Sequence, residues 1–374
     1  MIYNGKELKK LGFGLMRLPM LDDEIDIEQT KQMVDVFMEN GFTYFDTAYG
    51  YINQRSEVAA KIALIDRYPR ESFQFATKLP AWSGAKTAEE AKNMFYTSLE
   101  RTGAGYFDFY LLHNVGADRT SIFEEYDLWN FIIEQKKLGK IKKIGFSLHD
   151  TADRLEELLI KHPEVDFVQL QINYADWEHK TIQSRKNYEM AEKYGKPVII
   201  MEPIRGGALA TPPPQIKEIF DATNSDMSYA QWALRYAASL DNAMIVLSGM
   251  STLEQMQENV SFMKEFEKLN EEEYAVIKKA QDVIGAIPTI PCTNCKYCIK
   301  DCPQGILISS MLAAMNKFRV FGDFNGAKRS YEFATKNNAH ASECIACGAC
   351  ESVCPQSIKI IDELVKVSET LENA

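Results

Sequence analysis

Eight cysteines, all between Cys292 and Cys354, are the residues whose type and spacing point most directly to chemistry. Cys292, Cys295, Cys298 and Cys302 form the run CxxCxxCxxxCP, and Cys344, Cys347, Cys350 and Cys354 repeat it, each run closed by a proline, Pro303 or Pro355. Three thiolates this close reach three corners of an iron–sulfur cubane from one loop, while the fourth, carried off by the proline-marked turn, reaches the other cluster. The spacing predicts two [4Fe–4S] clusters, one on Cys292, Cys295, Cys298 and Cys354 and one on Cys344, Cys347, Cys350 and Cys302. Zinc is the alternative, but it favours two CxxC pairs per tetrahedral site, which leaves the third cysteine and the prolines without a role. Disulfides fit less well, because no secretion signal is evident and cytosolic thiols stay reduced.

A second set of residues sits just past apolar runs: Asp46 and Tyr51 in FDTAYGYINQRSE, Lys78 in FATKLP, and His113 in YLLHN. Singly, each has an ordinary structural role as a capping Asp, a half-buried Tyr, a surface Lys or a hydrogen-bonded core His. The elements that carry them make them a group. Short apolar runs at 11–18, 42–48, 73–79, 107–113, 141–149, 167–174, 197–203 and 243–249 read as strands. Amphipathic stretches such as 27–40, 121–138 and 181–195 lie between them and end near Gly or a basic residue. Eight such alternations predict an α/β chain folded as a closed (β/α)8 TIM barrel, with a doubly wound open sheet as the alternative. No GxGxxG follows the first strand, which counts against the open sheet. In a barrel the C-terminal strand ends share one mouth, and Asp46, Tyr51, Lys78 and His113 would meet there.

The chain has 374 residues, 46% of them hydrophobic, enough for one large core and a smaller second one. A formal charge of −11 argues against nucleic acid or an anionic membrane as the main partner and favours a small molecule. Nowhere do eighteen apolar residues run together, and the sequence reads as that of a cytoplasmic protein with no membrane partner. The confinement of cysteine to the C-terminal part predicts a barrel over 1–268, a helix and Pro-bounded connector over 269–290, and a cluster domain over 291–374. Between Cys302 and Cys344 the stretches 308–322 and 325–336 look helical, with Met311, Met315 and Phe318 at the spacing of ordinary core packing.

The motif DTAxxY at Asp46–Tyr51, followed by Lys78 and His113, resembles the aldo-keto reductase family, and the likeness continues through IGFS (144–147), QINY (171–174), EPI (202–204) and EQMQEN (254–259). The resemblance implies carbonyl reduction by hydride transfer from a nicotinamide across the barrel mouth. Tyr51 would be the general acid, Lys78 held by Asp46 would lower its pKa, and His113 would orient the carbonyl oxygen. Tyr49 is an internal rival for the acid role. Ser147 and Gln171 match positions that hold the nicotinamide carboxamide, Met201 the position where many members stack an aromatic ring, and Glu258 and Asn259 the adenine end. Leu148 stands where the family often has Asn. Gly249 and Gln255 occupy the places of the basic residues that grip the 2′-phosphate, so the expected cofactor is NADP or NAD.

The C-terminal part resembles the mainly helical two-cluster ferredoxin-like modules. Together the two likenesses imply a nicotinamide-dependent oxidoreductase acting on a carbonyl or alcohol, with the clusters relaying electrons to or from a carrier such as ferredoxin. Two alternatives stand: an ordinary NAD(P)H carbonyl reductase with structural clusters, since thiolate ligation contributes folding energy, and a redox-sensing, nicotinamide-binding regulator. Loops around Trp82, Asn114, Trp177 and Arg205 would set the substrate.

Overall fold

The computed structural model of the chain describes residues 2–3, 6–116, 119–223, 225–292 and 294–372. Eight parallel strands close into a barrel in chain order: β1 (Leu11–Gly14), β2 (Tyr44–Asp46), β3 (Gln74–Leu79), β4 (Phe107–Leu112), β5 (Ile141–Leu148), β6 (Phe167–Gln171), β7 (Val198–Met201) and β8 (Ala243–Ser248). Closure is completed by β8 pairing with β1, where Ser248 stands opposite Phe13.

Apart from the exposed Lys142 and Lys143 near the start of β5, both faces of these strands are largely buried, which is why they read as apolar runs. Tyr44, Phe109, Leu111, Phe167, Ile199 and Ile245 fill the barrel interior. Their neighbours Phe45, Tyr110, Leu112, Val168, Ile200 and Val246 point outward into a separate layer against the helices. The interior leaves no room at Gly145, where a Cβ would lie 2.6 Å from the Phe167 carbonyl oxygen and 2.8 Å from its ring. Glycine is required there by close approach.

The strand-to-strand connections and the stretch after β8 carry α1 (Ile27–Glu39), α2 (Ala88–Thr102), α3 (Leu128–Lys137), α4 (Ala152–Lys161), α5 (Ser184–Lys193), α6 (Pro214–Asp221), α7 (Tyr229–Ser239) and α8 (Leu253–Met263). Their starts are capped by local chemistry: Asp26 accepts from the Gln29 amide, Thr87 from that of Glu90 and Thr252 from that of Gln255. Two stretches differ from the apolar pattern. The first strand ends at Gly14, and a short 3₁₀ turn, Leu15–Arg17, carries Met16 and Arg17 to the surface. The amphipathic stretch 121–138 is broken at Asp127, whose left-handed φ of 54° separates Thr120–Glu125 from α3.

The chain forms two compact units. One comprises Met1–Arg205 and Ala230–Asn270, and the other Gly206–Tyr229 and Glu271–Ala374. Within the second unit, α6 packs on α9 (Glu271–Ala286), and α10 (Ile308–Phe321) packs on α11 (Phe324–Thr335) and on α12 (Ile360–Val367). Gly322, at φ 63°, ends α10, and the Asp323 side chain caps α11 through the Gly326 amide. Met311, Leu312, Met315, Ile308, Tyr331, Ile360 and Leu364 form the core of this unit together with the buried Cys298 and Cys350.

Candidate active site and cluster-binding domain

Asp46 is the last residue of β2, Lys78 lies near the end of β3, and His113 follows β4, so the register of adjacent strands brings all three to one mouth. Lys78 Nζ is fully buried and donates to Asp46 Oδ1 at 2.5 Å, to the Thr47 carbonyl at 2.7 Å and to the Tyr51 hydroxyl at 3.4 Å. Gln169, on β6 across the barrel, donates to the other oxygen of Asp46 at 3.1 Å. Asp46 therefore has both oxygens engaged, and Lys78 is fixed with its charge beside the phenol. The His113 ring stands edge-on to Tyr51 with centroids 5.8 Å apart.

Tyr49 is held elsewhere. The Arg101 guanidinium lies 4.6 Å over its ring, donates to its carbonyl at 3.1 Å and to the buried Glu57 carboxylate at 2.9 Å. Glu57 also accepts from Thr77 on β3 at 2.7 Å. This brace anchors the loop that presents Tyr51, beyond which Ile52, Asn53 and Gln54 all adopt left-handed φ of 49°, 52° and 68°. A β-branched residue in that region is strained, and such strain persists only where surrounding contacts hold it.

The electrostatics assign protonation states. Burial opposes the Lys78 charge, but Asp46 and Tyr51 more than offset it and hold the ammonium above its ordinary value. Burial raises the Tyr51 phenol, and the opposing pull of Lys78 does not cancel the effect. Tyr51 thus keeps its proton more firmly than the sequence argument expected, because a desolvated phenolate costs more than one nearby ammonium returns.

Burial first, then the charge of Lys78 and the neighbouring His149 and Arg119, push His113 well below its ordinary value, so it is a neutral imidazole. Its Nδ1 is buried without a partner among the described residues. An unfolded histidine titrates near 6.5, so below about that pH the unfolded chain binds a proton that the folded chain refuses, and stability is lost toward acid. His113→Gln is expected to flatten the fall in Tm between about pH 6.5 and 5. Parallel falls in the variant and the parent would show that another group titrates.

The residues matched to the nicotinamide nucleotide ring the ends of β5 to β8. Ser147 is buried and accepts from the Asn114 amide at 2.8 Å. Gln171 contacts His149 at 3.1 Å and donates to Asp176 at 3.0 Å, and the buried Asp176 also pairs with Arg205 at 3.0 Å. Arg205 is thereby committed to holding the loop after β7. Met201 is half-buried at the end of β7.

Asn259 donates to Ser248 at 3.0 Å, the Gln255 side chain accepts from the Ser251 amide at 2.8 Å, and Glu258 and Gly249 are exposed. A Cβ at Gly249 would lie 3.3 Å from Arg17 Cδ. The exposed Arg17, whose guanidinium has no partner among the described residues, therefore covers the position that lacks a basic side chain of its own. The His113 nitrogen and the Arg17 guanidinium, both without a partner among the described residues, fit the polar and anionic groups of a nicotinamide nucleotide.

In the C-terminal unit, Cys292, Cys295, Cys298 and Cys354 line one small cavity with Lys296, Leu312, Ile358 and Ile360. Cys302, Cys344, Cys347 and Cys350 line another with Ile306, Ile308, Ile361 and Leu364. Each set takes three cysteines from one run and the fourth from the other. Among the described residues no three His, Cys, Asp or Glu side chains converge closely enough for a single ion. Thiols spread around an apolar volume fit a cubane, whose irons lie at separate corners. Cys298 and Cys350 are buried, whereas Cys295 and Cys347 are exposed.

Gln169, Glu57, Arg101 and Arg17 do not stand out in the sequence. Gln169 is signalled only by being a polar residue in the apolar run FVQLQ. Glu57 and Arg101 lie 44 residues apart and meet only in the folded barrel.

The aldo/keto reductase family is matched over residues 10–282, and a 4Fe-4S dicluster domain over 291–358. An uncharacterized oxidoreductase of Schizosaccharomyces pombe is 26% identical over 295 residues, covering 74% of this chain and 90% of its own length. A glyoxal reductase of Bacillus subtilis is 25% identical over 251 residues, 60% of this chain and 85% of its own. The fold is shared with the holo form of the aldo-keto reductase AKR11C1 from Bacillus halodurans, at 24% identity and a TM-score of 0.59, covering 74% of this chain and 95% of that one. A Klebsiella pneumoniae aldo-keto reductase solved with NADPH aligns at 19% identity and a TM-score of 0.56, over 73% and 90% of the two chains. With its closed eight-stranded barrel, the chain belongs to the aldo/keto reductase family of NAD(P)-dependent oxidoreductases and carries a 4Fe-4S dicluster domain C-terminal to the barrel.

Proposed function

We propose that this protein interconverts a small carbonyl compound and its alcohol, with Tyr51 as proton donor and the two clusters relaying electrons to or from an external one-electron carrier of the ferredoxin kind. The carrying observation is the chain from Tyr51 through Lys78 to Asp46, with hydrogen bonds of 3.4 and 2.5 Å, at the barrel mouth beside a neutral His113. Bound nicotinamide supplies the hydride and each cluster carries one electron. Tyr51 holds its proton at neutral pH and gives it to the carbonyl oxygen as charge develops there. Lys78, kept cationic by Asp46, stabilises the phenolate left behind. Neutral His113 has one N–H to donate to the same oxygen and so fixes its direction. The brace on Tyr49 favours Tyr51 as the acid.

NADPH is the preferred form in this reading, because Arg17 offers a guanidinium beside Gly249 where a 2′-phosphate would gain a charge-assisted bond. The solved Klebsiella relative holds NADPH, and the Bacillus relative is named for glyoxal reduction. The relay is supported by Cys295 and Cys347, one exposed ligand on each four-cysteine set, which would give a carrier short access to either cluster. Hydride transfer completes the reduction of the carbonyl, so the relay would act on the oxidised nicotinamide left behind, which takes two electrons and one proton to become NADPH; two one-electron sites match that stoichiometry. Among the described residues no helix is long and apolar enough to cross a membrane, and eight thiols suit a reducing cytoplasm.

The test is anaerobic turnover of short aldehydes with NADPH and, separately, NADH. Aldehyde-dependent oxidation with the lower KM for NADPH supports the reading. Nicotinamide binding with no oxidation by any aldehyde or ketone, and no reduction by any alcohol, would favour the regulatory alternative.

A further inference from the structure

Trp82, in the loop after β3, donates from its indole nitrogen to the carbonyl of His113 at 2.6 Å, and its ring stands 5.9 Å from the His113 ring. The indole is thus tied to the residue that faces Tyr51. Arg119, beyond β4, lays its guanidinium 4.7 Å over the Trp82 ring. It makes no ion pair among the described residues and is half-exposed. A guanidinium stacked on an anchored aromatic face keeps its fork of donors free and loses little freedom on engaging a planar anion.

Two other cations near the mouth, Lys78 and Arg205, are committed to Asp46 and Asp176. Glu202, after β7, is a carboxylate whose charge acts on the Tyr51 phenol. A substrate whose carbonyl meets Tyr51 and His113 therefore finds Arg119, a cation with no ion pair among the described residues, on the Trp82 side and Glu202 on the β7 side.

We propose that the substrate is an oxo acid, a carbonyl compound with a carboxylate a few carbons away, and that Arg119 binds that carboxylate while Glu202 repels the reversed orientation. This rests on the carbonyl-reductase reading and deepens it. Arg119 is reached from Tyr51 through His113 and Trp82, at ring spacings of 5.8 and 5.9 Å and with its guanidinium 4.7 Å from the Trp82 ring. Arg119 is a specificity determinant and takes no part in proton or hydride transfer.

The test compares succinic semialdehyde with butanal, two aldehydes of equal chain length that differ in the terminal carboxylate. Initial rates are taken anaerobically with saturating NADPH for the parent protein, Arg119→Leu, Arg119→Lys and Glu202→Gln. The parent is expected to favour the acid by about tenfold or more in kcat/KM, the scale of one charge-assisted pair. Arg119→Leu should collapse that ratio through KM, and Arg119→Lys, which keeps the charge, should restore part of it. Glu202→Gln should lower KM for the acid more than for butanal. A ratio near one in the parent, or a preference that survives Arg119→Leu while butanal is still reduced, overturns the oxo-acid assignment and leaves the reductase reading standing. Failure of the parent protein to reduce either aldehyde overturns both.

Discussion

Replacing Tyr51 by Phe is expected to lower kcat for carbonyl reduction by about 10²–10⁴-fold while leaving nicotinamide affinity nearly unchanged. The change removes one hydroxyl and keeps the ring, so packing against His113 at 5.8 Å is preserved. The hydroxyl contributes only at the transition state, because the proton it delivers moves as negative charge grows on the carbonyl oxygen, and such interactions appear in kcat more than in KM. Lys78 retains its strong partner Asp46 and its bond to the Thr47 carbonyl, so the buried ammonium is not stranded and the fold survives. Equilibrium titration with NADPH and single-turnover kinetics separate the two effects. Activity within a factor of a few of the parent would assign the acid to another group, with Tyr49 the nearest phenol, although its ring is clamped by Arg101.

The second large effect concerns the clusters. Cys302→Ala should cost the protein about half its iron, because one cubane loses one of its four thiolate ligands. A single substitution cannot tell crossed sets from sets confined to one run, but double substitutions can. Cys302 and Cys344 line the same cavity, so the double variant Cys302→Ala/Cys344→Ala should lose no more than one cluster. Cys302 and Cys292 line different cavities, so removing that pair should empty both. Iron and sulfide analysis with the electron paramagnetic resonance of reduced protein gives the count. The reverse outcome, with Cys302/Cys344 losing both clusters and Cys302/Cys292 only one, would establish run-confined sets. The C-terminal unit should also become protease-sensitive in the variant without clusters, because Cys298 and Cys350 lie within its apolar core and ligation contributes to its folding energy.

The parts of this molecule legible in the sequence are those written locally. The strands are apolar runs because both faces are largely buried, and their polar ends mark the mouth, so Asp46, Lys78 and His113 could be found from position alone. The cysteine runs encode their chemistry in spacing.

What was not legible depends on closure and burial. Arg17 meets Gly249 only because β1 pairs with β8, which brings together residues more than two hundred positions apart. Gln169 reaches Asp46 across the interior, a contact that strand order does not reveal. The raised Tyr51 phenol is a desolvation effect, and the sequence showed only the neighbouring Lys78. The turn after Tyr51 and the break at Asp127 are left-handed backbone conformations at residues that carry no turn signal of the Gly or Pro kind. The Gly206–Tyr229 excursion belongs to the second compact unit although it lies between β7 and β8, an association set by its packing on α9.

The central claim, that nicotinamide chemistry in the barrel is coupled to the clusters, is tested most directly by mixing the protein anaerobically with a stoichiometric amount of NADPH and following the cluster absorbance in stopped flow. Bleaching at a rate no slower than kcat, abolished in the Cys302→Ala/Cys292→Ala variant, is the predicted result. Full cluster absorbance throughout normal aldehyde turnover would contradict it and leave the clusters a purely structural role.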